Sequence, residues 1–522
     1  MREMILTKSF LYSDPFAYSV DNPQWIDLHW FSQILFLSVF NLFSSTGLLF
    51  FKCFIVFLIC LILSFSNQSK KGAFVTGIIF SMLIFEMRML VLVRPILLTV
   101  LYMSIFFWSL EHYLALRDKK YLFILIPVQV LWTNSQGLFI LGPIIFGCYV
   151  FGECSQRFVD RKRSNQPIWT GIKKIIPVNL ITSLGLLVLS CLVNPYGFSG
   201  FLFPFKLFKR IEPGLENIYS HNISENIPLM DLSGKDQRYI YIYLLVICLS
   251  TISFFFNKKS FRWAHVFLCI AFFYLGFIAK RNSILYSVII PPVLGFNFYT
   301  GYFVIKSKKK VRSLTDSVLD TGKYILTGCI ILVLLFDIFV SIAMLKIYPS
   351  KQSISPFRVP VEAVQYLKEH PIPGNIFNSI RYGGYLIWHL FPDKKVYIDG
   401  RLIIRSERFF FNYLSLLDNP KLFSSLMDRH DITHAVLPIA IFPRYMPLVK
   451  WLYKSHMWDL VFVNGESVIF SKNNININRI FDLDSREDIQ YIRNSIDERW
   501  KNDSSIRKEA QRYFTGFLAA VF

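Results

Sequence analysis

The chain has 522 residues, of which 53% are hydrophobic and 17% charged, and its formal net charge is +21. This composition, with a mean hydropathy of +0.42, is typical of an integral membrane protein and excludes an ordinary soluble domain of this length. The basic residues form no face interleaved with aromatic residues, so we expect no nucleic-acid partner.

The segment that precedes the first long apolar run carries the first candidate catalytic groups. Asp14 lies in an Asp-Pro-Phe-Ala-Tyr segment, and Asp27 and His29 lie in the segment Trp25–Trp30. Carboxylates and a histidine beside a membrane suit a general base or the ligands of a divalent metal. The same residues also fit ordinary turns and interfacial tryptophan anchors, because Asp-Pro commonly starts a turn.

Apolar runs of about 20 residues predict membrane-spanning helices along most of the chain. About ten are expected, at 49–66, 73–91, 96–115, 120–134, 136–152, 174–193, 238–256, 262–279, 283–302 and 323–346. The aromatic stretch Trp30–Phe43 either lies in the membrane interface or extends the first span. The break between the fourth and fifth spans is alternatively a re-entrant turn.

Basic clusters separate these runs and orient them. They lie at Lys70-Lys71, Arg117–Lys120, Arg157–Lys174, Lys258–Arg262 and Lys306–Arg312. Alternating spans place all of them on one side, which is the positive-inside pattern. We therefore expect a multi-pass protein of the bacterial inner (cytoplasmic) membrane, with both termini outside the cytoplasm.

Two arginines fall on the expected outer side, against that charge rule. Arg94 precedes a proline at one span end, and Arg281 lies in Lys280-Arg-Asn282 at another. An arginine fork fits phosphate oxygens, although a side chain that snorkels to lipid head groups gives the same pattern. The long loop Asn194–Lys235 lies on the same side and is either a functional lid or a packed amphipathic segment.

The residues after Ser350 are predicted to form a separate domain, because their apolar runs are short and charges of both signs occur between them. The pattern predicts helices over 360–369, 409–427 and 444–456, strands over 375–380, 395–398, 434–439, 459–463 and 467–471, and a final helix after Ser485. Asn464-Gly465 is a strong hairpin signal. We expect a transmembrane domain over 1–348 and an extramembrane α/β domain over 349–522.

The order of these motifs resembles a family of bacterial polytopic proteins whose membrane half is similar to the GT-C glycosyltransferases. To the segments at Asp14, Asp27 and Arg94 the chain adds Trp-x-Asn-x-x-Gly at 132–137, Asn-Pro-Tyr-Gly at 194–197 and Arg-Asn at 281–282. A C-terminal stretch with Gly-Gly-Tyr-Leu-Ile-Trp and Tyr-Ile-Asp-Gly-Arg, within 383–401, completes the series. Such proteins usually begin with a further membrane helix and an acidic segment, which this sequence lacks before Met1.

The resemblance implies a transferase that takes a sugar from a polyprenyl-phosphate-linked donor. Asp14 and Asp27, with His29, match the catalytic loop, and Arg94 and Arg281 match the donor-phosphate site. The expected partners are the lipid bilayer, that donor and an envelope acceptor, which is a lipid, polysaccharide or protein. The alternatives are a non-enzymatic transporter or assembly scaffold for lipid-linked glycans, and an N-terminally truncated, inactive homologue.

Overall fold

A computed structural model describes residues 9–20, 24–67, 69–164, 177–209, 217–258, 260–308, 339, 354–371, 373–473 and 479–522. The chain divides into two compact units. Unit 1 comprises Met1–Phe10 and Ile26–Ala343, and unit 2 comprises Leu11–Trp25 and Met344–Phe522. The sequence placed the whole N-terminal segment with the membrane domain, whereas Leu11–Trp25 belong to the unit of the C-terminal region. The predicted boundary between 348 and 349 lies outside the described residues.

Unit 1 is helical throughout its described part. Its helices are α1 (Trp30–Ser66), α2 (Lys70–Glu86), α3 (Ile96–Leu116), α4 (Lys120–Phe123), α5 (Leu125–Thr133), α6 (Leu141–Arg163), α7 (Val178–Ser190), α8 (Gly197–Phe201), α9 (Phe203–Lys209), α10 (Ile218–Asn222), α11 (Arg238–Phe256), α12 (Trp263–Ile278) and α13 (Ser283–Lys308).

Four helices of the described residues are long and apolar enough to cross a membrane. They are Trp30–Ser66, Ile96–Leu116, Gly234–Phe256 and Lys280–Gly301. Three further apolar helical segments are shorter than 18 residues: Lys120–Thr133 (α4 and α5 together), Val178–Ser190 (α7) and Trp263–Ile278 (α12). A membrane protein is therefore supported, but the predicted number of about ten spans is not established. The span predicted at 323–346 falls almost entirely outside the described residues.

The aromatic stretch before the first predicted span is helical and leads directly into that span within α1, which covers Trp30–Ser66. Ser44 interrupts the helical dihedral angles, with φ 57° and ψ −162°. The helix therefore has a kink there, and the part before Ser44 runs in a different direction from the part after it.

Small residues allow close helix contacts in unit 1. A Cβ built on Gly152 of α6 would lie 2.3 Å from the backbone nitrogen of Ala264 in α12. A Cβ on Gly295 of α13 would lie 2.2 Å from Thr76 Oγ1 of α2. Small residues let the helix backbones approach each other closely. Close packing matters in a membrane because no hydrophobic driving force acts between helices there.

Unit 2 combines helices with a four-stranded sheet. The helices are α14 (Val361–Glu369), α15 (Gly383–Leu390), α16 (Glu407–Asp418), α17 (Phe423–His430), α18 (Met446–Lys454), α19 (Arg486–Arg499) and α20 (Ser504–Val521). The strands are β1 (Asn375–Asn378), β2 (Ile432–Pro438), β3 (Trp458–Val463) and β4 (Ser467–Lys472). Their order is β1-β2-β4-β3, with β1 parallel to β2 and the other pairs antiparallel.

Most predicted elements of this region are present, with two differences. The helix predicted over 409–427 is two helices, because Asn419-Pro420 ends α16 and a short 3₁₀ turn precedes α17. The strand predicted over 395–398 is reduced to isolated bridges, in which Val396 pairs with Ala17 and with Ile376. The N-terminal segment, through Ala17, therefore pairs with the stretch of chain that lies beside β1 at the edge of the sheet.

The predicted hairpin joins β3 to β4 at Asn464–Glu466. The Asn464 side chain accepts hydrogen bonds from the backbone nitrogens of Glu466 and Ser467, both at 2.9 Å. Gly465 lies against α20, where an added Cβ would come within 2.6 Å of the Ala510 Cβ. The predicted helix start at Ser485 is also present, since its hydroxyl accepts from the Asp488 nitrogen at 3.4 Å.

Candidate functional site

Asp27 lies immediately before α1 and is the most deeply buried of the predicted catalytic residues in unit 1, with 2% of its surface exposed. Gln33 Nε2 donates to both of its carboxylate oxygens, at 3.0 and 2.9 Å, and the His29 backbone nitrogen donates to Oδ1 at 3.0 Å. The His29 ring nitrogen Nδ1 is 3.7 Å from Oδ1, beyond hydrogen-bond distance. The carboxylate is thus held in one orientation by hydrogen bonds to both of its oxygens.

Burial opposes ionisation of Asp27, but the nearby His29 and the hydrogen bonds from His29 and Gln33 outweigh it. The pKa of Asp27 therefore lies below its ordinary value. The carboxylate is ionised at neutral pH, so it accepts hydrogen bonds and stabilises nearby positive charge. A strongly basic carboxylate would instead require a raised pKa.

The start of α1 is hydrogen-bonded to the Trp-x-Asn-x-x-Gly segment at the end of α5. Trp30 Nε1 donates to Asn134 Oδ1 at 2.8 Å, and Ser32 Oγ donates to the Ser135 carbonyl at 2.9 Å. Asn134 Nδ2 in turn donates to the Val193 carbonyl at 2.8 Å, directly before the Asn-Pro-Tyr-Gly segment. Three motifs that are far apart in the sequence therefore meet at one end of unit 1.

The first turns of α3, which follow Arg94-Pro95, reach the same segment. The fully buried Trp132 donates through Nε1 to Thr99 Oγ1 at 3.1 Å, and Tyr102 shares a hydrogen bond of 3.1 Å with Ser135 Oγ. A tryptophan N–H and a tyrosine hydroxyl each require a partner when they are buried. These contacts place Arg94 at the end of unit 1 that also carries Asp27, which we call the motif end.

Arg94 and Arg281 are brought together by Glu225, which lies in the long loop before α11. Arg94 Nη1 donates to Glu225 Oε1 and Oε2 at 2.9 and 2.8 Å. The Glu225 carbonyl accepts from the Arg281 backbone nitrogen at 2.9 Å. The Arg281 side chain, which is partly buried, interacts electrostatically with both Glu225 and Arg94. The two predicted phosphate ligands thus form one cluster with an acidic residue between them.

Asp14 lies in unit 2, where its carboxylate binds Arg401. Arg401 Nη1 and Nη2 donate to the two oxygens of Asp14 at 2.7 and 3.2 Å, and its Nε and Nη2 donate to Asp399 at 2.7 and 2.6 Å. The Arg401 guanidinium also lies over the rings of Trp25 and Phe16, 4.1 and 5.1 Å from their centroids. Asp14 is therefore assembled with the C-terminal region rather than with Asp27.

This arrangement engages both carboxylate oxygens of Asp14 within unit 2. Its side chain has no exposed surface, and the Phe16 backbone nitrogen also donates to Oδ1, at 3.1 Å. The two-pronged pair with Arg401 fixes the position of both carboxylate oxygens. The contacts favour a positioning role, in which Asp14 fastens the N-terminal segment to the sheet of unit 2.

Sequence reasoning missed two sets of charged residues. Arg401 has no role in the sequence-based predictions, although its spacing to Asp399 is a signal for a local ion pair. Glu111 in α3 was not singled out, although it is buried and accepts from Tyr149 at 2.8 Å and lies 2.9 Å from His265 Nε2. Arg262 also pairs with Glu111. These partners come from different segments of unit 1, so their proximity cannot be read from spacing.

Among the described residues, no group of three or more His, Cys, Asp or Glu side chains is close enough to hold a metal ion. Asp27 and His29 together would supply only two ligands, whereas a Ca²⁺ or Mg²⁺ ion usually binds more oxygen ligands. The described residues therefore offer no ligand set that fits a divalent metal.

No family model and no curated protein matches this chain. Two similar solved structures are oligosaccharyltransferases from Archaeoglobus fulgidus. The structure of AglB with an inhibitory peptide and a dolichol-phosphate is 13% identical, with a TM-score of 0.46, and the match covers 90% of this chain and 69% of that one. The structure tethered to an acceptor peptide containing the NVT sequon is 12% identical, with a TM-score of 0.48, and the match covers 91% and 69%.

Both neighbours are GT-C-type glycosyltransferases, which is the kind of protein that the sequence resembles. Because both TM-scores lie below 0.5, neither likeness assigns a family or an activity to this chain.

Proposed function

We propose that this chain is a membrane glycosyltransferase that moves a sugar from a polyprenyl-phosphate-linked donor to an envelope acceptor. The proposal rests on one observation. The start of α1, which follows the buried Asp27, and the first turns of α3, which follow Arg94, are hydrogen-bonded to the same segment at the end of α5, and Glu225 joins Arg94 to Arg281. Glycosyl transfer from a lipid phosphate requires these two kinds of group, one at the acceptor and one at the leaving group.

In the proposed reaction an acceptor oxygen or nitrogen attacks the anomeric carbon as the bond from that carbon to the phosphate oxygen breaks. Negative charge then develops on the departing lipid phosphate, which Arg281 binds and stabilises beside the Arg94–Glu225 ion pair. Asp27 accepts a hydrogen bond from the acceptor and orients it for attack on the opposite face of the sugar. The attacking atom becomes acidic as the new bond forms, and its proton passes to the Asp27 carboxylate. His29 keeps Asp27 positioned through its backbone N–H, and its ring adds a positive charge nearby when it is protonated.

Asp14 has a different role in this proposal. Since its two oxygens are bound by Arg401, we assign it to the assembly of unit 2 and not to the transfer step.

The function is tested by sugar transfer in membranes that contain the full-length protein and a labelled polyprenyl-linked donor. We expect Asp27→Asn and Arg281→Ala each to reduce product by roughly 100-fold, the lower range for loss of one catalytic group. Arg88→Ala is the matched control, because the Arg88 guanidinium bonds the Phe85 carbonyl and lies over its ring, 4.4 Å from the centroid. Full product from an Asp27→Asn/Arg281→Ala double variant would reject the assignment.

The acceptor panel should contain a lipid, a polysaccharide and a peptide, since the sequence leaves these three classes of acceptor open. Loss of lipid-linked glycan export without any transfer product would favour the transporter alternative.

The location proposed for the site is the outer face of the bacterial inner membrane, with unit 2 outside the cytoplasm. The basic clusters between the apolar runs support this orientation. Phosphatase and fluorescent-protein fusions at Lys235, Lys310 and Phe522 are expected to report outside, inside and outside, in that order. A cytoplasmic signal at Phe522 would overturn the orientation.

A further inference from the structure

Glu225 is attached to both arginines of the proposed donor site. Its carboxylate binds Arg94 at 2.9 and 2.8 Å, and its carbonyl accepts from the Arg281 nitrogen at 2.9 Å. The next contact along the same loop is equally direct, because the Lys280 nitrogen donates to the Ile227 carbonyl at 3.0 Å. The loop is therefore fastened beside the arginines by its backbone, independently of the Glu225 side chain.

The charge of this cluster is small, although it contains three cations. Lys280 Nζ is paired with Asp236 Oδ2 at 2.5 Å, so its charge is neutralised within the loop. Two guanidinium groups and the Glu225 carboxylate then leave one net positive charge. Within the described part of the chain, the Arg281 guanidinium has no hydrogen bond or ion pair of its own, so it is the cation that remains for an anion.

The cluster therefore has one net positive charge and one guanidinium that can bind a ligand. This matches the single negative charge of one phosphate group in a diester. A sugar linked to a polyprenyl through one phosphate is a diester with one negative charge, whereas a diphosphate linkage carries two. The second phosphate group would have to approach Arg94, whose charge Glu225 already neutralises and whose bound carboxylate repels it.

We propose that Glu225 is a specificity-determining residue, which restricts the donor site to lipids that carry a single phosphate. This inference rests on the proposed function, because it names the class of donor that the same site accepts. It assigns Arg281 to the phosphate and Arg94 to the ion pair that excludes a second phosphate.

The test compares binding of a polyprenyl monophosphate and the corresponding diphosphate to the full-length protein in detergent, by native mass spectrometry or scintillation proximity. The wild type is expected to bind the monophosphate more tightly. Glu225→Gln keeps the shape of the side chain and removes its charge. It should tighten diphosphate binding by roughly two- to fivefold, the range for losing one exposed ion pair, and change monophosphate binding less.

Asp118→Asn is the matched control, since it removes a partly exposed carboxylate that binds Lys120 and lies outside the Arg94, Glu225 and Arg281 cluster. It is expected to leave the preference between the two lipids unchanged. Adding Arg94→Ala to Glu225→Gln should abolish the gain in diphosphate binding, because the freed guanidinium is what binds the second phosphate.

An unchanged preference in Glu225→Gln, or a wild type that prefers the diphosphate, would overturn the role of Glu225. Arg281→Ala separates this outcome from failure of the proposed function. If that variant binds both lipids as the wild type does, the donor site itself is misplaced. If it loses both while Glu225→Gln changes nothing, the donor site stands and the specificity inference fails.

Discussion

Arg401 joins the N-terminal segment to the C-terminal region of unit 2, and its removal should therefore destabilise that unit strongly. The guanidinium binds Asp14 and Asp399, whose side chains are 0% and 3% exposed. In Arg401→Ala both carboxylates stay buried without a cation. Breaking a buried pair in this way costs about 3–5 kcal/mol, and lost contact with the Trp25 ring adds to it.

For a unit of this size, about 1 kcal/mol corresponds to about 2–4 °C in melting temperature. Arg401→Ala should therefore lower the melting temperature of unit 2 by about 6–20 °C. The assay is thermal unfolding of the full-length protein in detergent, with hydrogen-exchange mass spectrometry of peptides that cover 11–25 and 395–405 to locate the change. Adding Asp399→Asn should restore part of the loss, since one buried charge is removed.

Arg512→Ala is the control for a surface ion pair in the same unit. Arg512 binds Glu509 at 3.3 Å with 71% and 38% of the two side chains exposed, so its loss should cost less than about 1 kcal/mol. A melting temperature of Arg401→Ala within about 2 °C of the wild type, or equal effects of the two variants, would refute the reasoning.

Two further predictions concern a buried acid and a helix contact. Burial, and then the neighbouring Glu362, raise the pKa of Glu466 to about 8 against the attraction of Arg499. Between about pH 4.5 and 8 the folded state therefore keeps the Glu466 proton that the unfolded chain has lost. The free energy of unfolding should fall as the pH rises through this range, by at most about 1.4 kcal/mol per pH unit. Glu466→Gln should flatten this decline in melting temperature, and an unchanged slope would contradict it. Gly152→Ala should lower the yield and the melting temperature of the detergent-purified protein, because its Cβ would overlap the α12 backbone, whereas Gly147→Ala, with no atom within 4 Å, should be neutral on the same helix.

Local patterns were sufficient for most of the elements. Apolar runs predicted the long helices of unit 1, because burial of every backbone polar group in a membrane requires a helix. Alternation and turn chemistry predicted the β3–β4 hairpin, since Asn464 forms the turn with its own side chain. The two incorrect details have local physical causes, the proline that divides α16 from α17 and the sparse pairing around Val396.

The sequence by itself determined that this is a chain of apolar helices followed by a small α/β region, with the candidate acids and arginines identified by residue type. Their grouping was decided by tertiary structure. Asp14 and Asp27 are close in sequence yet lie in different units, because Arg401 binds the first and Gln33 the second. Arg94 and Arg281 are far apart in sequence yet share Glu225. Spacing along a chain reports only local geometry, whereas ion pairs of this kind form between segments that the packing of helices brings together.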